Sequence, residues 1–340
     1  MAAGLSPSDV PDDLDQLIRS GDVDGLVRLV DAHCATRDWE ALLEVRDACR
    51  AATDAGRQVW PAATLADYRL ALRAPGDLAA IVVDESNGRF ALGPLSEVVA
   101  QHHRWEDLAP HLENPIAAEF VARECALRGQ RTGLEPLDPW DVPVDALGWE
   151  PAYALATYRD DGADFPVPAV APREPQRVDG SAGTAVTGTG VDAGVSAAVH
   201  DLVSGWTTAS NGTLAVSQAD RIDDAIAALA RDGARRAAIG SGDAMALAAW
   251  TGACGGAHGR RRGAAGGRQR AWALVAATAG LDLPWEPGAV ARAAESAAWW
   301  TWDDGAAATG WTLRLAWSTP RGAWAIDARD RADAPAPPTR

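Results

Sequence analysis

The pattern of apolar positions predicts a series of short helices in the first 130 residues. Residues 14–18 share one apolar stripe, and 23–30 carries apolar residues at the spacing of an amphipathic helix. Asp38 stands as a cap before a third stripe, and Pro61 suits the first turn of a fourth helix. Because the connections are short, we expect antiparallel helix pairs in a solenoid-like arrangement.

The clearest strand signal lies near the end of the chain, where apolar and polar residues alternate strictly. The alternation runs through 311–317, breaks at a turn at 319–322 and resumes through 324–328. Two alternating runs joined by a short turn predict a terminal β-hairpin.

A second hairpin is predicted where Asn211-Gly212 separates two β-prone runs, 206–209 and 213–217. A helical stripe at 222–229 and a short apolar run at 236–240 follow, and this order favours a βαβ unit. We expect these strands to join the terminal hairpin in one sheet. Further helices are predicted at 243–251 and 263–279.

A change in composition separates the two patterns. Eight prolines fall between 133 and 175, and 176–195 is rich in Gly, Ala and Thr, which is typical of a linker. We therefore predict an α+β protein with a helical N-terminal half and a mixed α/β C-terminal domain. The expected parts are a helical domain at 1–132, a partly disordered connection at 133–195, an α/β domain at 196–330 and a disordered tail at 331–340.

The charge balance narrows the classes of partner. The formal net charge is −16, and every base is Arg, because the chain contains no Lys. A strongly acidic chain is a poor general binder of nucleic acid. The first 16 residues lack the basic and apolar regions of a signal peptide, and no apolar run is long enough to cross a bilayer. We expect a soluble cytoplasmic protein without membrane contact.

The sequence presents no complete catalytic or metal-binding pattern. The four cysteines are widely spaced, and the histidines at 102, 103 and 111 lack the HExxH spacing of a zinc site. There is no GxxxxGK[ST] phosphate loop and no GxSxG nucleophile motif. We predict no catalytic residue, no metal and no cofactor, and leave open whether the protein is an enzyme.

The segment 252–270 is the most unusual stretch, because it contains five arginines and no acid in an acidic chain. Its glycines permit close backbone approach to a ligand, and arginine binds phosphate and carboxylate groups. These features favour an anion site at His258, Arg260, Arg261 and Arg262. Alternatively, the small residues let two helices pack closely, and the arginines pair with acids or lie in solvent.

A dense set of tryptophans follows this segment, with Trp299, Trp300 and Trp302 close together. If the stretch is a strand, Trp300 and Trp302 face one way and Trp299 the other. Trp300 and Trp302 would then form an aromatic wall beside the anion site. The alternative is a core in which large rings fill the space left by Ala and Gly.

Several stretches carry a resemblance to known sequences. At full length the chain resembles members of an uncharacterised family of actinobacterial proteins. The resembling stretches are 55–61, 88–95, 105–112, 255–263 and 309–315. The resemblance implies a bacterial cytoplasmic protein and assigns no catalytic residue. Separately, Arg260-x-x-Gly263-x-Ala265 is similar to the pyrophosphate turn of the GNAT acetyltransferases, but a helix is predicted before it where that family has a strand.

Two functional hypotheses remain. The first is a protein-interaction or scaffold protein, because paired helices offer extended surfaces for a partner chain. The second is a small-molecule enzyme or sensor that binds a phosphate- or carboxylate-bearing ligand at 252–270.

Overall fold

The chain folds into two compact units. The computed structural model describes residues 10–85, 93–138, 142–181, 183, 185–306 and 310–332. The helical unit comprises Met1–Cys125 and Thr157–Asp164, and the sheet unit comprises Ala126–Ala156 and Phe165–Arg340. The short segment Thr157–Asp164 therefore belongs with the N-terminal helices, although the residues before it belong to the sheet unit.

Helices account for the first part of the chain, as the apolar stripes predict. They are α1 (Val10–Ser20), α2 (Val23–Thr36), α3 (Trp39–Asp54), α4 (Trp60–Arg73), α5 (Gly76–Glu85), α6 (Leu95–His102), α7 (Trp105–Leu108) and α8 (Pro115–Leu127). Asp22 and Asp38 cap α2 and α3 through hydrogen bonds from backbone N–H groups. Leu26, Leu42 and Leu70 are fully buried. The described residues within 12–130 form no strand.

A two-stranded hairpin completes the helical unit. It consists of β1 (Thr157–Arg159) and β2 (Gly162–Asp164), which pair antiparallel. The fully buried Tyr158 donates a hydrogen bond from its hydroxyl to Glu97 Oε2 at 2.6 Å, and its backbone N–H donates to Gln101 Oε1 at 2.6 Å. The Tyr68 hydroxyl donates to the Arg159 carbonyl at 2.6 Å. These bonds fix the hairpin to α4 and α6.

The described part of the sheet unit contains a seven-stranded sheet. Its strands are β3 (Gln176–Arg177), β4 (Val186–Thr187), β5 (Thr213–Ala219), β6 (Arg235–Ile239), β7 (Ala298–Asp303), β8 (Trp311–Thr319) and β9 (Gly322–Asp330). Their order is β3-β6-β7-β8-β9-β5-β4, with every neighbouring pair antiparallel. The helices are α9 (Ala193–Thr207), α10 (Ile222–Ala227), α11 (Ser241–Ala253), α12 (Ala264–Ala279) and α13 (Pro287–Ser296). The β8–β9 pair is the predicted terminal hairpin.

The two faces of this sheet carry different cores. One face packs against α9, α11, α12 and α13, around the fully buried rings of Trp206, Trp272, Trp317 and Trp324. On the other face, Ala225 and Ile226 of α10 pack in a smaller cluster with Ala316, Ala323 and Ala325 of β8 and β9. Small side chains on the strands let this short helix approach the sheet closely.

The predicted hairpin at 206–217 is wrong in its first strand. Trp206 lies near the end of α9, so Asn211-Gly212 joins a helix to β5 and not a strand to a strand. The physical reason is a helical stripe that the turn signal obscured. Val195, Val199, Leu202, Val203 and Trp206 are all buried at helical spacing, and Asp192 caps the helix.

The crossover through α10 also differs from a simple βαβ unit. β5 and β6 run in the same direction but are not neighbours, because β9, β8 and β7 lie between them. Within the stretch expected to be a linker, β3 and β4 instead form the outer strands of the sheet. The predicted disordered tail lies, from residue 333 onwards, outside the described residues. In the described part of the chain, no helix has the length and apolar character to cross a membrane.

Candidate functional site

The glycines at the start of segment 252–270 allow the loop to fold tightly. A Cβ on Gly255 or Gly259 would lie 2.2 Å from the carbonyl oxygen of the other. Gly256 has a φ of +72°, and a Cβ there would lie 2.1 Å from Asp330 Oδ2. These positions require glycine for sterics alone. Asp330 in turn accepts a hydrogen bond from the loop, through the N–H of Ala257 at 2.6 Å.

The small residues further along the segment let α11 and α12 pack backbone to backbone. A Cβ on Gly267 would lie 2.0 Å from the Ala249 carbonyl oxygen, and one on Gly252 would lie 3.2 Å from the Gly267 Cα. Arg268 is fully buried in an ion pair with Glu150 at 2.6 Å. Gly252 and Gly267 therefore serve close helix packing, and Arg268 pairs with an acid, as the alternative to an anion site predicts.

The predicted anion-site residues do not converge on one point. His258 and Arg260 are exposed. The Arg261 guanidinium lies 5.0 Å from the centre of the Phe165 ring, and its Nη1 lies 3.9 Å from Cys254 Sγ. Arg262 instead reaches α9, where its Nη1 donates to a backbone carbonyl at 3.3 Å. The loop follows helix α11, which differs from the strand that precedes the turn in GNAT proteins.

The tryptophans of β7 divide between the two faces of the sheet, as predicted for a strand. Trp299 packs in the core beneath the helices, whereas Trp300 and Trp302 belong to the cluster beneath α10. Guanidinium groups lie over both of the latter rings, Arg236 at 5.3 Å from Trp300 and Arg314 at 5.2 Å from Trp302. These rings pack against the chain's own cations.

The aromatic wall and the Arg segment therefore do not form one site. Cys254, within the Arg segment, packs in the core that contains Trp299 and Trp206. Trp300 and Trp302 face the opposite side of the sheet. The sheet lies between the two sets of residues because successive side chains of a strand point to opposite faces. The expectation that Trp300 and Trp302 line the anion site is wrong.

A groove of about 770 Å³ opens in the helical unit. Its walls are the turn between α2 and α3, the last turn of α4 and the turn of the β1–β2 hairpin. Six of its lining residues are charged or aromatic: Asp31, Arg37, Trp39, Arg69, Arg73 and Asp160. A volume of this size accommodates a small ligand or several side chains of a peptide. We call this feature the helical-unit groove.

Two arginines of α4 hold the Asp160 carboxylate at the edge of the groove. Arg69 Nη1 lies 2.5 Å from Asp160 Oδ1, and Arg73 Nη2 lies 2.5 Å from Oδ2. The hydrogen bond from Arg73 is the main reason that the pKa of Asp160 falls below its usual value, and Arg69 adds to the effect. Arg69 also contacts Asp31 at 3.2 Å, yet its buried Nε has no hydrogen-bond partner in the described structure.

Arg37 adds a third cation to the groove. It occupies the left-handed position that ends α2, with a φ of 57°. Its backbone N–H donates to the Cys34 carbonyl, and the N–H of the following Asp38 donates to the His33 carbonyl. Its side chain is exposed, and no carboxylate of the described residues pairs with it. Trp39 is half-buried nearby. Burial raises the pKa of the Cys34 thiol, so this groove residue is a neutral thiol near pH 7.

Sequence reasoning missed this groove. Arg69 and Arg73 stand four residues apart on α4, so the sequence does place them on one helix face. Asp160 follows almost ninety residues later, in a segment that we assigned to the connection. No local pattern indicates that it returns to α4.

A family model matches residues 24–320 of the chain. The chain belongs to the family of unknown function DUF6183. The match spans most of the helical unit and nearly all of the sheet unit, so this DUF6183 chain resembles its family across both. No curated protein and no solved structure matches it. Among the described residues, no cluster of His, Cys, Asp and Glu has the arrangement of a metal site.

Proposed function

We propose that this DUF6183 protein is a protein-binding module whose helical-unit groove receives a carboxylate-bearing segment of a partner polypeptide. The observation that carries the proposal is the pair Arg69 and Arg73. These two arginines already bind the side-chain carboxylate of Asp160, with one guanidinium 2.5 Å from each oxygen. The exposed Arg37 guanidinium beside this pair is available to a second carboxylate.

The charge of the chain makes this groove distinctive. The protein carries a formal charge of −16, yet three arginines face two aspartates among the lining residues. A local positive site attracts acidic groups of a partner, whereas the net negative charge of the whole chain repels other copies of the protein. Trp39 adds a rigid aromatic surface of the kind that is enriched in protein interfaces.

The open shape favours a polypeptide over a compact metabolite. The walls are a helix turn, a helix end and a hairpin turn, so an extended segment can lie across them. The segment that fits has one acidic side chain near an apolar or aromatic one, so that the acid reaches Arg37 and the apolar group reaches Trp39.

The proposal is tested with a fluorescein-labelled ten-residue peptide of alternating Asp and Leu, and with the same peptide carrying Asn in place of Asp. We expect fluorescence anisotropy to report binding of the Asp peptide only, weakening as salt is raised. Arg37→Glu should reduce the affinity by about tenfold or more, because a charge-assisted hydrogen bond contributes about 1.5–3 kcal/mol.

Arg28→Glu is the matched control. Arg28 lies on α2, the helix that ends at Arg37. Its side chain is 72% exposed, and it is not among the groove residues. Arg28→Glu changes the net charge of the protein by the same amount as Arg37→Glu and should leave the affinity for the Asp peptide unchanged. Equal losses in both variants would indicate unspecific attraction, and tight binding of citrate in place of the peptide would indicate a small-molecule site; either result contradicts the proposal.

A further inference from the structure

Two arginines of the sheet unit, Arg262 and Arg270, contact the same aspartate of α9, Asp201. Arg262 precedes α12, and Arg270 lies two turns inside it. Arg262 Nη1 donates to the backbone carbonyl of Asp201 at 3.3 Å, and Arg270 Nε lies 3.3 Å from Asp201 Oδ2. Sequence reasoning identified Arg262 but neither Arg270 nor Asp201.

The positive charge at this point exceeds the negative charge. Arg262 forms no ion pair with any carboxylate in the described part of the chain, and its side-chain bond goes to a neutral carbonyl. Arg270 shares the one carboxylate, but its buried Nε makes no hydrogen bond of acceptable geometry. The Arg270 side chain is only 22% exposed, so water compensates it incompletely. One guanidinium charge is thus left without a counter-charge.

The surroundings add to the positive field. Burial, and then the charge of Arg270, lower the pKa of Arg262, which means that the cationic form is held at a cost. The N-terminus of the sixteen-residue α12 lies directly after Arg262, and a helix N-terminus carries a partial positive charge. Gly266 lies in its first turn, and its carbonyl accepts a hydrogen bond from Arg270 Nη1 at 2.9 Å, which leaves the charge of that guanidinium unneutralised.

We propose that Arg262 and Arg270 form a binding site for a phosphate-type oxyanion, which pairs with both guanidinium groups as Asp201 is released from Arg270. A guanidinium offers two parallel N–H donors, and the oxygens of a phosphate group accept from both arginines at once. The doubly charged form of phosphate neutralises both cations, which the single charge of Asp201 does not. The site lies in the sheet unit and is independent of the function proposed for the helical-unit groove.

This assignment revises the sequence-based anion site. Arg261 contacts Phe165 and Cys254, whereas Arg262 and Arg270 meet at Asp201. The phosphate is either free or part of an ester on a larger molecule, since both present the same oxygens to the two arginines.

The experiment is calorimetric titration of the full chain with inorganic phosphate and, separately, with glycerol 3-phosphate, at constant ionic strength. We expect saturable binding of at least one of the two, and the tighter one identifies the source. Arg262→Ala and Arg270→Ala should each weaken binding by about tenfold or more. Arg292→Ala, an exposed arginine on α13, is the control and should leave binding unchanged.

Asp201→Asn separates the proposal from a merely structural role for these arginines. Because the variant removes the competing carboxylate, it should strengthen phosphate binding several-fold. If Asp201→Asn weakens binding, if Arg261→Ala abolishes it while Arg262→Ala does not, or if neither phosphate binds the wild-type chain, the proposal is overturned. Circular dichroism on each variant confirms that the fold is retained, and Arg262→Lys replaces Arg262→Ala if the latter does not fold.

Discussion

Arg268 is a single residue that links a long connection to the helical core of the sheet unit. It is 1% exposed, and its guanidinium donates to Glu150 and to the backbone carbonyls of residues 143–145. Glu150 also accepts hydrogen bonds from the Tyr153 hydroxyl and from Trp272 Nε1. Because the charged side chains of Arg268 and Glu150 are only 2% and 1% exposed, removing either one leaves the other charge without compensation.

We therefore expect Arg268→Leu to lower the free energy of unfolding by about 3–5 kcal/mol, the range typical of a broken buried ion pair. Arg292→Leu is the control, because the pair of Arg292 with Glu286 is largely exposed and such pairs contribute about 1 kcal/mol or less. Urea denaturation followed by tryptophan fluorescence measures both. A loss for Arg268→Leu as small as that of the control would show that the network is not needed for stability.

The same pair predicts a dependence of stability on pH. Burial alone would raise the pKa of Glu150, but the hydrogen bonds and charge of Arg268 hold it below its ordinary value of 4.5. A carboxyl whose pKa is lowered by folding stabilises the protein above its unfolded pKa, and this contribution is lost as the pH falls through the folded value. The difference in stability between the wild type and Glu150→Gln should therefore shrink as the pH falls below about 4.5. A difference that stays constant between pH 7 and pH 3.5 contradicts the assignment.

At the scale of elements, the signals that depend on near neighbours predicted structure well. The alternation at 311–317 and 324–328 specified β8 and β9, because a period of two leaves one face to be buried. At Asn211-Gly212 a strong turn signal outweighed the apolar stripe that runs through 195–206. The turn exists, but turn chemistry alone does not report what lies on each side of it.

The two sites proposed here depend on contacts that no local pattern contains. Arg262 and Arg270 are close in sequence, but Asp201 comes from another helix about sixty residues earlier. Asp160 meets Arg69 and Arg73 across a longer gap, of 91 and 87 residues. Residue type singled out Arg262 alone among these cations. Only the fold identified Arg69, Arg73 and Arg270 as site residues, together with their partners.

Packing between α11 and α12 gives a prediction for two adjacent glycines. Gly267→Ala should destabilise the protein by about 1–3 kcal/mol, because its Cβ would overlap the Ala249 carbonyl oxygen and force the helices apart. Gly266→Ala is the matched control, since its Cβ would meet the mobile end of Arg270 at 3.3 Å. Alanine favours a helix over glycine by about 1 kcal/mol, so Gly266→Ala should be neutral or stabilising. Thermal unfolding of the two variants compares them directly, and equal effects would argue against close backbone packing at Gly267.

At the scale of the whole molecule, the chain passes between the two units more than once. It leaves the helical unit after Cys125, returns for Thr157–Asp164 and leaves again. A boundary drawn at residue 132 from composition therefore separates the N-terminal helices from the hairpin. That hairpin supplies Tyr158, which is fully buried and bonded to the fully buried Glu97.

This arrangement predicts how the chain tolerates truncation. A fragment of residues 1–132 lacks the Tyr158 ring and the hydrogen bond that its hydroxyl donates to Glu97, and a hydrogen bond to a charged group contributes about 1.5–3 kcal/mol. A fragment of residues 1–168 retains the hairpin, although it also carries 126–156, which belongs to the sheet unit. We expect 1–168 to unfold cooperatively and at a higher temperature than 1–132 when helical circular dichroism is followed. Tyr158→Ala in the longer fragment should remove most of that advantage, since the ring packs edge-on against Tyr68 of α4 and its hydroxyl bonds to Glu97 of α6. Equal unfolding temperatures of the two fragments would mean that the helices fold stably without the hairpin.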